Sequence, residues 1–339
     1  MNEAISIRGV TAKPGSKTFG FLDVAERPGS TVQMPVGIVN GSKPGPILCL
    51  TAGKHAVEYV GIDAVIRLYK ETDAEELRGA LLAVPVANIP SFDTQTPFVC
   101  SVDNKDVAYL LPGKSTGSMS HRIAYTLVEN VIKKADFYID LHGGDLPEWI
   151  VHWCIYMVTG NEKLDKQSEI LARLYGTEFI ERTTRPIMNI GKSIPAILAE
   201  VGSLGRYEES DISKHVNGVR NIMQYLGMIE GKPVLPSRQL MFKTEMPERA
   251  LDSTESAGFQ ILNTNRGGLL YLKVKPGDHV KEGQVLGEVR DLKGDITEEI
   301  AAPFSFTVMM IYPKHVVAAG DPVFCGAPVV ELPSLELAL

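Results

Sequence analysis

Residues 46–71 read PILCLTAGKHAVEYVGIDAVIRLYKE. The first part, PILCLTAG, is a short apolar run closed by Gly53, the pattern of a strand buried on both faces. The second part, EYVGIDAVIRLYKE, repeats apolar residues at helical spacing. Between them stand His55 and Glu58, three apart, with small or apolar neighbours. A buried strand that gives way to a helix is the opening unit of an α/β domain. Ionisable side chains at that junction lie where open α/β sheets gather ligand-binding groups, beyond the carboxyl ends of the strands.

The alternation continues to about residue 230. ALLAVPVAN, DFYIDLHGG, IVHWCIYMVTG and AILAEVGS read as further strands. SMSHRIAYTLVENVIKKA, NEKLDKQSEILARLYG and ISKHVNGVRNIMQYLG read as helices, the first with Ser118 or Ser120 as its cap and the second stopped by Gly176. The expected fold is α/β over residues 1–232, a mostly parallel or mixed sheet flanked by helices, with residues 1–40 as strands packing on it. Residues 232–256 change character, to Pro, Ser and charge without a helical period. From there GGLLYLKVKPGDHVKEGQVLGEV and EEIAAPFSFTVMMIYPKHVVAAGDPVF are short strands broken by Pro-Gly-Asp and Glu-Gly turns. Residues 233–339 are therefore expected to form a small all-β domain.

Composition narrows the function classes. The chain has 339 residues, 44% apolar and 22% charged, with a net charge of -7. That balance supports a sizeable core and argues against nucleic acid or an anionic membrane surface as partner, because both reward basic patches. No apolar run approaches the roughly 20 residues needed to span a bilayer. The N-terminus has no apolar signal segment. Cys49, Cys100, Cys154 and Cys325 are far apart and form no CxxC, as expected of free thiols in a reducing compartment. The expected location is the cytoplasm.

Three strand ends carry ionisable groups beside glycine: His55 and Glu58 in GKHAVE, His142 with Asp140 and Asp145 in DLHGGD, and Glu200 in LAEVG. Strand ends of one parallel sheet converge on one rim. His55 and Glu58, three apart in a first helical turn, face one side, and His142 closes a triangle. Two histidines and a carboxylate suit one Zn2+ per chain with an open coordination position. Cobalt and manganese are acceptable to the same ligand types. Glu200 is then the spare carboxylate, the base that takes a proton from water and passes it to the leaving amine. Each element also has a plainer reading. HxxE alone is common, and His142 before Gly-Gly suits a polar strand end. A carboxylate after an apolar run is costly without a partner, which favours a function or an ion pair for Glu200.

The order HxxE, then a strand ending DLHGG, then a strand ending AEVG, resembles the succinylglutamate desuccinylase/aspartoacylase family. AVPVANIPSF resembles its strand followed by Asn-Pro, and KDVAYLLPG its loop ending in Phe-Pro-Gly. The resemblance covers most of the chain. It implies a zinc carboxypeptidase-like fold and a zinc-dependent amide hydrolase acting on a small N-acyl amino acid or related compound. It places His55, Glu58 and His142 on the zinc ligands and Glu200 on the catalytic glutamate. Ala56 stands where members commonly have Gly. Ala108 and Tyr109 stand where they have the Asn-Arg that holds a substrate carboxylate. FDTQTPFVCS lacks the arginine that polarises the scissile carbonyl. Arg122, Arg185 and Arg206 are the alternative cations, and Gln95 or Tyr109 the neutral alternatives for a carbonyl oxygen. The lost arginines also motivate a second reading, a weak or inactive relative that binds a small molecule or a partner.

Other features have plainer roles. Asp140, two before His142, is placed to orient that histidine or to bond the backbone. Asp145 and Glu148 are candidates for the site mouth. His152 and Cys154 are expected in packing, and His121, His215, His279 and His315 on the surface. GKSTGS (113–118) lacks full P-loop spacing and reads as a loop near the site. The C-terminal region resembles a biotinyl/lipoyl-type half-barrel, but the context of Lys293 in DLKGD is that of an ordinary turn lysine. The module is expected to border the active-site mouth or to build a homo-oligomer contact.

Overall fold

The computed structural model describes residues 3–185, 190, 194–243 and 259–335. A ten-stranded mixed sheet forms its frame. From edge to edge the strands are Val329–Glu331, Leu240–Phe242, Phe179–Thr183, Trp153–Met157, Ala196–Glu200, Phe137–His142, Lys43–Thr51, Arg78–Val84, Ser30–Asn40 and Ser16–Arg27. Phe137–His142 lies parallel to both its neighbours, and Glu200 pairs in register with His142. Ala196–Glu200 meets Trp153–Met157 antiparallel, so Trp153 lies opposite Glu200. The α/β expectation holds, with the first forty residues supplying two long strands of the sheet itself.

Period-two alternation sorts the central strands between two cores. Ile139, Leu141, Ile197, Ala199 and Cys154 face one side, covered by the helices Tyr59–Glu71, Glu162–Leu174 and Glu209–Tyr225. Tyr138, Leu198, Trp153 and Ile155 face the other, where Met309, Phe259 and Cys325 of the C-terminal region join the same cluster. Asp140, His142 and Glu200 follow the parity of this second set. The strands read as unbroken apolar runs because both faces are covered.

Beyond residue 242 the described chain forms two small antiparallel sheets around a separate core that includes Leu270, Leu286, Phe306 and Phe324. Two departures from the expected organisation stand out. Leu240–Phe242 and Val329–Glu331 both belong to the large sheet, so the chain crosses back into it at each end of the β module. The run read as one strand, IVHWCIYM, is split. Trp149–Ile150 pairs with Phe306–Ile311 of the module, and Trp153–Met157 joins the large sheet. Residues 244–256 of the expected linker lie outside the described residues. Lys293 sits in a tight turn, its backbone N–H donating to Asp291 Oδ1 at 2.8 Å. Among the described residues no helix is long and apolar enough to cross a membrane.

Two glycines of the opening stretch set the approach of strand and helix. Gly53 has φ +62°, a left-handed conformation that ends the strand sharply. A Cβ at Gly61 would lie 3.0 Å from the Leu141 carbonyl oxygen, so the helix Tyr59–Glu71 presses directly on the strand that ends in His142. Gly61→Val is expected to destabilise the fold by about 1–3 kcal/mol through overpacking. Urea unfolding measures this, and an unchanged midpoint would show that the contact is not tight.

Candidate metal centre

His55 and Glu58 do not lie in a helical turn, as their spacing suggests. Glu58 is the N-cap of the helix Tyr59–Glu71, and its N–H reaches the His55 carbonyl at 3.4 Å to close the preceding turn. The turn still brings both side chains to one side: His55 Nδ1 is 2.8 Å from Glu58 Oε1. His142 Nδ1 lies 2.9 Å from Glu58 Oε2. One donor atom from each of the three residues falls within 4.8 Å of the others, close enough to share one cation. Glu58 and His142 are buried.

The remaining imidazole nitrogens show which face each ring presents. His142 Nε2 donates to Asp140 Oδ2 at 3.2 Å, and His55 Nε2 to Asp106 Oδ1 at 3.3 Å. Each Nδ1 is therefore left with its lone pair toward Glu58 when the ring is neutral. His142 Nδ1 and Glu58 Oε2 are buried and face each other at 2.9 Å without the geometry of a hydrogen bond. Buried polar atoms are rarely left unpaired. Two such atoms converging with His55 Nδ1 fit a divalent cation.

Asp140 is held from behind by a residue without a signal in the sequence reading. Lys54 is fully buried, and its Nζ donates to Asp140 Oδ2 at 2.5 Å and to Tyr138 Oη at 3.0 Å. Thr51 Oγ1 donates to Asp140 Oδ1 at 2.5 Å. Burial opposes the charged form of Asp140, but Lys54 and His142 outweigh it and hold the carboxyl below its usual range. A lysine beside a histidine normally reads as a surface residue, so only packing reveals this role.

A cavity of about 290 Å3 opens over the three residues. Its wall includes Trp153, Ile155 and Leu198 of the large sheet and Phe259, Ile261, Met309 and Tyr312 of the C-terminal region. Glu200 also lines it, and burial, opposed by His142 and reinforced by Glu58 and Glu148, pushes its pKa well above the usual carboxylate range. Tyr109 and Arg185 line it as well. Arg185 Nη2 bonds Glu181 Oε1 at 2.5 Å, and its guanidinium carbon lies 5.9 Å from the Phe259 ring centre.

Several expected residues are elsewhere. Gln95 is exposed at the end of the short helix Ile89–Thr94, and Arg206 is exposed after its glycine-rich turn. Neither lines the cavity. Arg122 bonds the Gly117 carbonyl and faces a separate hollow with Arg8, Tyr125 and Ser115 of the GKSTGS loop. Sequence proximity to the strand ends did not translate into proximity in space, because the intervening turns carry these side chains outward. Asp145 is buried and spent on the Phe98 and Leu146 N–H groups, whereas Glu148 lines the cavity. His215 is buried rather than exposed, on the inward face of its helix, with Nδ1 2.6 Å from Tyr175 Oη. Ser118 occupies the N-cap position without a capping bond, and Ser120 instead binds Asp103.

Two lining residues escaped sequence reading. Asp106 lies in KDVAYLLPG, where attention falls on the residues that follow it. Glu181 lies in the strand Phe179–Thr183, whose FIERT sequence carries too much charge to read as buried; it accepts from Trp153 Nε1 at 3.2 Å.

At the strand ends of the mixed α/β sheet, the His-Glu-His cluster lies under a cavity walled by apolar side chains and by further carboxyl groups. Residues 44–226, more than half the chain, match the succinylglutamate desuccinylase/aspartoacylase catalytic domain, and the chain belongs to that family. It is 26% identical over 286 residues to an N-alpha-acetyl-L-2,4-diaminobutyric acid deacetylase of Halomonas elongata, covering 80% of each chain. Its fold matches a succinylglutamate desuccinylase of Silicibacter sp. TM1040 with a TM-score of 0.81 at 20% identity, over 93% of this chain and 95% of that one. It likewise matches the ectoine utilization protein EutE (DoeB) of Ruegeria pomeroyi in its product-bound structure, with a TM-score of 0.79 at 20% identity and the same coverage.

Two outcomes follow. Lys54→Met leaves Asp140 as a buried unpaired charge and is expected to cost about 3–5 kcal/mol in chemical unfolding; a change near zero would mean that the pair is dispensable. In the cation-free site, burial disfavours the charged form of His142, but Glu58 and Asp140 prevail and raise it to about 10, and His55 is likewise held well above its usual value. A ring that carries its second proton must lose it to bind a cation. Binding is expected to release protons and to weaken as pH falls. Calorimetry in buffers of different ionisation enthalpy measures the release, and a signal independent of buffer would refute it.

Proposed function

We propose that this chain is a zinc-dependent hydrolase that removes the acyl group from a small N-acyl amino acid or related amine. The observation that carries the reading is the convergence of His55, Glu58 and His142, whose ligand atoms lie within 4.8 Å of one another at a largely buried site. Two histidines and one carboxylate match the ligand set of catalytic zinc sites. A divalent cation held there supplies Lewis-acid charge to a carbonyl oxygen and lowers the pKa of water. Asp140 and Asp106 hold the two imidazoles by their Nε2 atoms, so that neither ring turns its lone pair away.

Glu200 is assigned the proton chemistry. Its strand ends in register with His142, and it lines the cavity. A carboxyl whose pKa is raised is a stronger base than an ordinary carboxylate. In this assignment Glu200 takes a proton from the attacking water and returns it to the departing amine nitrogen. The scissile C–N bond breaks, and the products are a carboxylate and an amine. Tyr109, which lines the cavity, is assigned as the neutral donor to the carbonyl oxygen. Likeness to a diaminobutyrate derivative deacetylase supports a small amide as substrate. The four described cysteines are free and buried, which supports the cytoplasm as location.

Elemental analysis of purified protein is expected to find about one zinc per chain. Release of acetate from N-acetyl-2,4-diaminobutyrate and from a panel of N-acyl amino acids and amides tests turnover. Glu200→Gln is expected to keep the metal and lower kcat by roughly 10^2–10^4-fold. Bound zinc without turnover of any amide would favour the binding-protein reading instead.

A further inference from the structure

The cavity over the metal centre is rich in carboxyl groups and poor in cations. Glu58, Asp106, Glu148, Glu181 and Glu200 line it, and among the described residues Arg185 is the one Lys or Arg that does. Glu58, Asp106 and Glu181 already balance Arg185 and one divalent cation, so any ionisation of Glu200 or Glu148 adds negative charge without a counter-charge. Arg185 is also committed: Glu181 holds its guanidinium and the Phe259 ring lies beside it. A substrate carboxylate would enter a cavity rich in carboxyl groups and find its counter-charge already engaged.

Four of the five carboxylates have evident employment. Glu58 faces the two histidines, Asp106 holds His55 and the Ala108 N–H, and Glu181 holds Trp153 and Arg185. Glu200 has the proton-transfer role proposed above. Glu148 is different. Among its described side-chain contacts is one hydrogen bond, from the Asp145 N–H to Oε2 at 3.0 Å. Burial pushes it up to about 7, and Tyr312 lines the same cavity. A half-buried carboxylate held by a single backbone donor is costly without a cation beside it.

We infer that the substrate is an N-acyl amine carrying a positive charge and needing no carboxylate, with its cationic end against Glu148 beside Tyr312. This rests on the amide-hydrolase reading and adds the substrate class to it. The apolar wall of Trp153, Phe259, Ile261 and Met309 suits an uncharged remainder. It also accounts for the two arginine positions of the family that are Tyr109 and absent here: a cationic substrate has no use for an anion clamp.

Three acetamides of similar length separate the possibilities: N-acetyl-1,4-diaminobutane, N-butylacetamide and N-acetylglutamate. The cationic compound is expected to exceed the anionic one in kcat/KM by about tenfold or more. Glu148→Gln is expected to raise KM for the cationic compound about tenfold and to shrink that ratio, with melting temperature as the control for folding. Calorimetric binding of 1,4-diaminobutane against glutarate by the wild-type protein reads the same preference without turnover. Preference for the anion in either assay would overturn the inference and indicate that Arg185 leaves Glu181 to clamp a carboxylate. Equal treatment of the two charges would overturn it as well. If none of the three amides is cleaved but the diamine binds selectively, the hydrolase reading fails and the charge preference stands.

Discussion

The arrangement depends on a buried charge pair, Lys54 with Asp140, enclosed by Thr51 and Tyr138. Both side chains are fully shielded from solvent. Such a pair adds little net stability, because desolvating two charges cancels most of their attraction. Its consequence is positional. It ties the end of the strand Lys43–Thr51, and the turn after it, to the strand Phe137–His142. It keeps Asp140 ionised in the core, and an ionised Asp140 fixes the His142 ring with Nδ1 outward. Removing Lys54 would leave the carboxylate either protonated or unpaired, and the imidazole would lose its anchor.

The second constraint is coverage of the large sheet. One face is sealed by three helices, and the other is shared with the C-terminal region. Had both faces been sealed by helices, His142 and Glu200 would have been buried without access. The segment Trp149–Ile150 leaves the large sheet just after DLHGG to pair with the C-terminal module, and this brings Met309, Met310 and Tyr312 over the strand ends. The β module thus shapes the cavity. Its resemblance to carrier modules concerns its strands and turns, not a role for Lys293.

The pattern of charge across the cavity separates its two tasks. The inner groups, Glu58 with the two histidines, are oriented by other carboxylates and have little freedom. The outer groups, Glu148, Arg185 and Tyr109, come from turns and strand edges. In the proposed reading, chemistry at the centre and selection at the mouth fall to different elements.

The α/β alternation, the His55–Glu58 spacing and the strand-end positions of His142 and Glu200 were legible in the sequence. Each rests on short-range physics: strand parity, chain reversal at Gly53, and the cost of an unpaired carboxylate after an apolar run. The all-β character of the C-terminal region was legible for the same reason, through its turn residues. Other features depended on tertiary contacts. Lys54 looked like an ordinary surface lysine until Asp140 was placed beside it. Glu181 and Asp106 gave no periodic signal, and His215 looked solvent-facing until its helix was packed. Gln95, Arg122 and Arg206 lie close in sequence to functional segments but turn away from the cavity. Sequence determined which residues stand at the ends of which strands, because that follows from local period. The tertiary structure alone decided which side chains share the cavity, because that depends on strand order, on sheet coverage and on the direction each connecting turn takes.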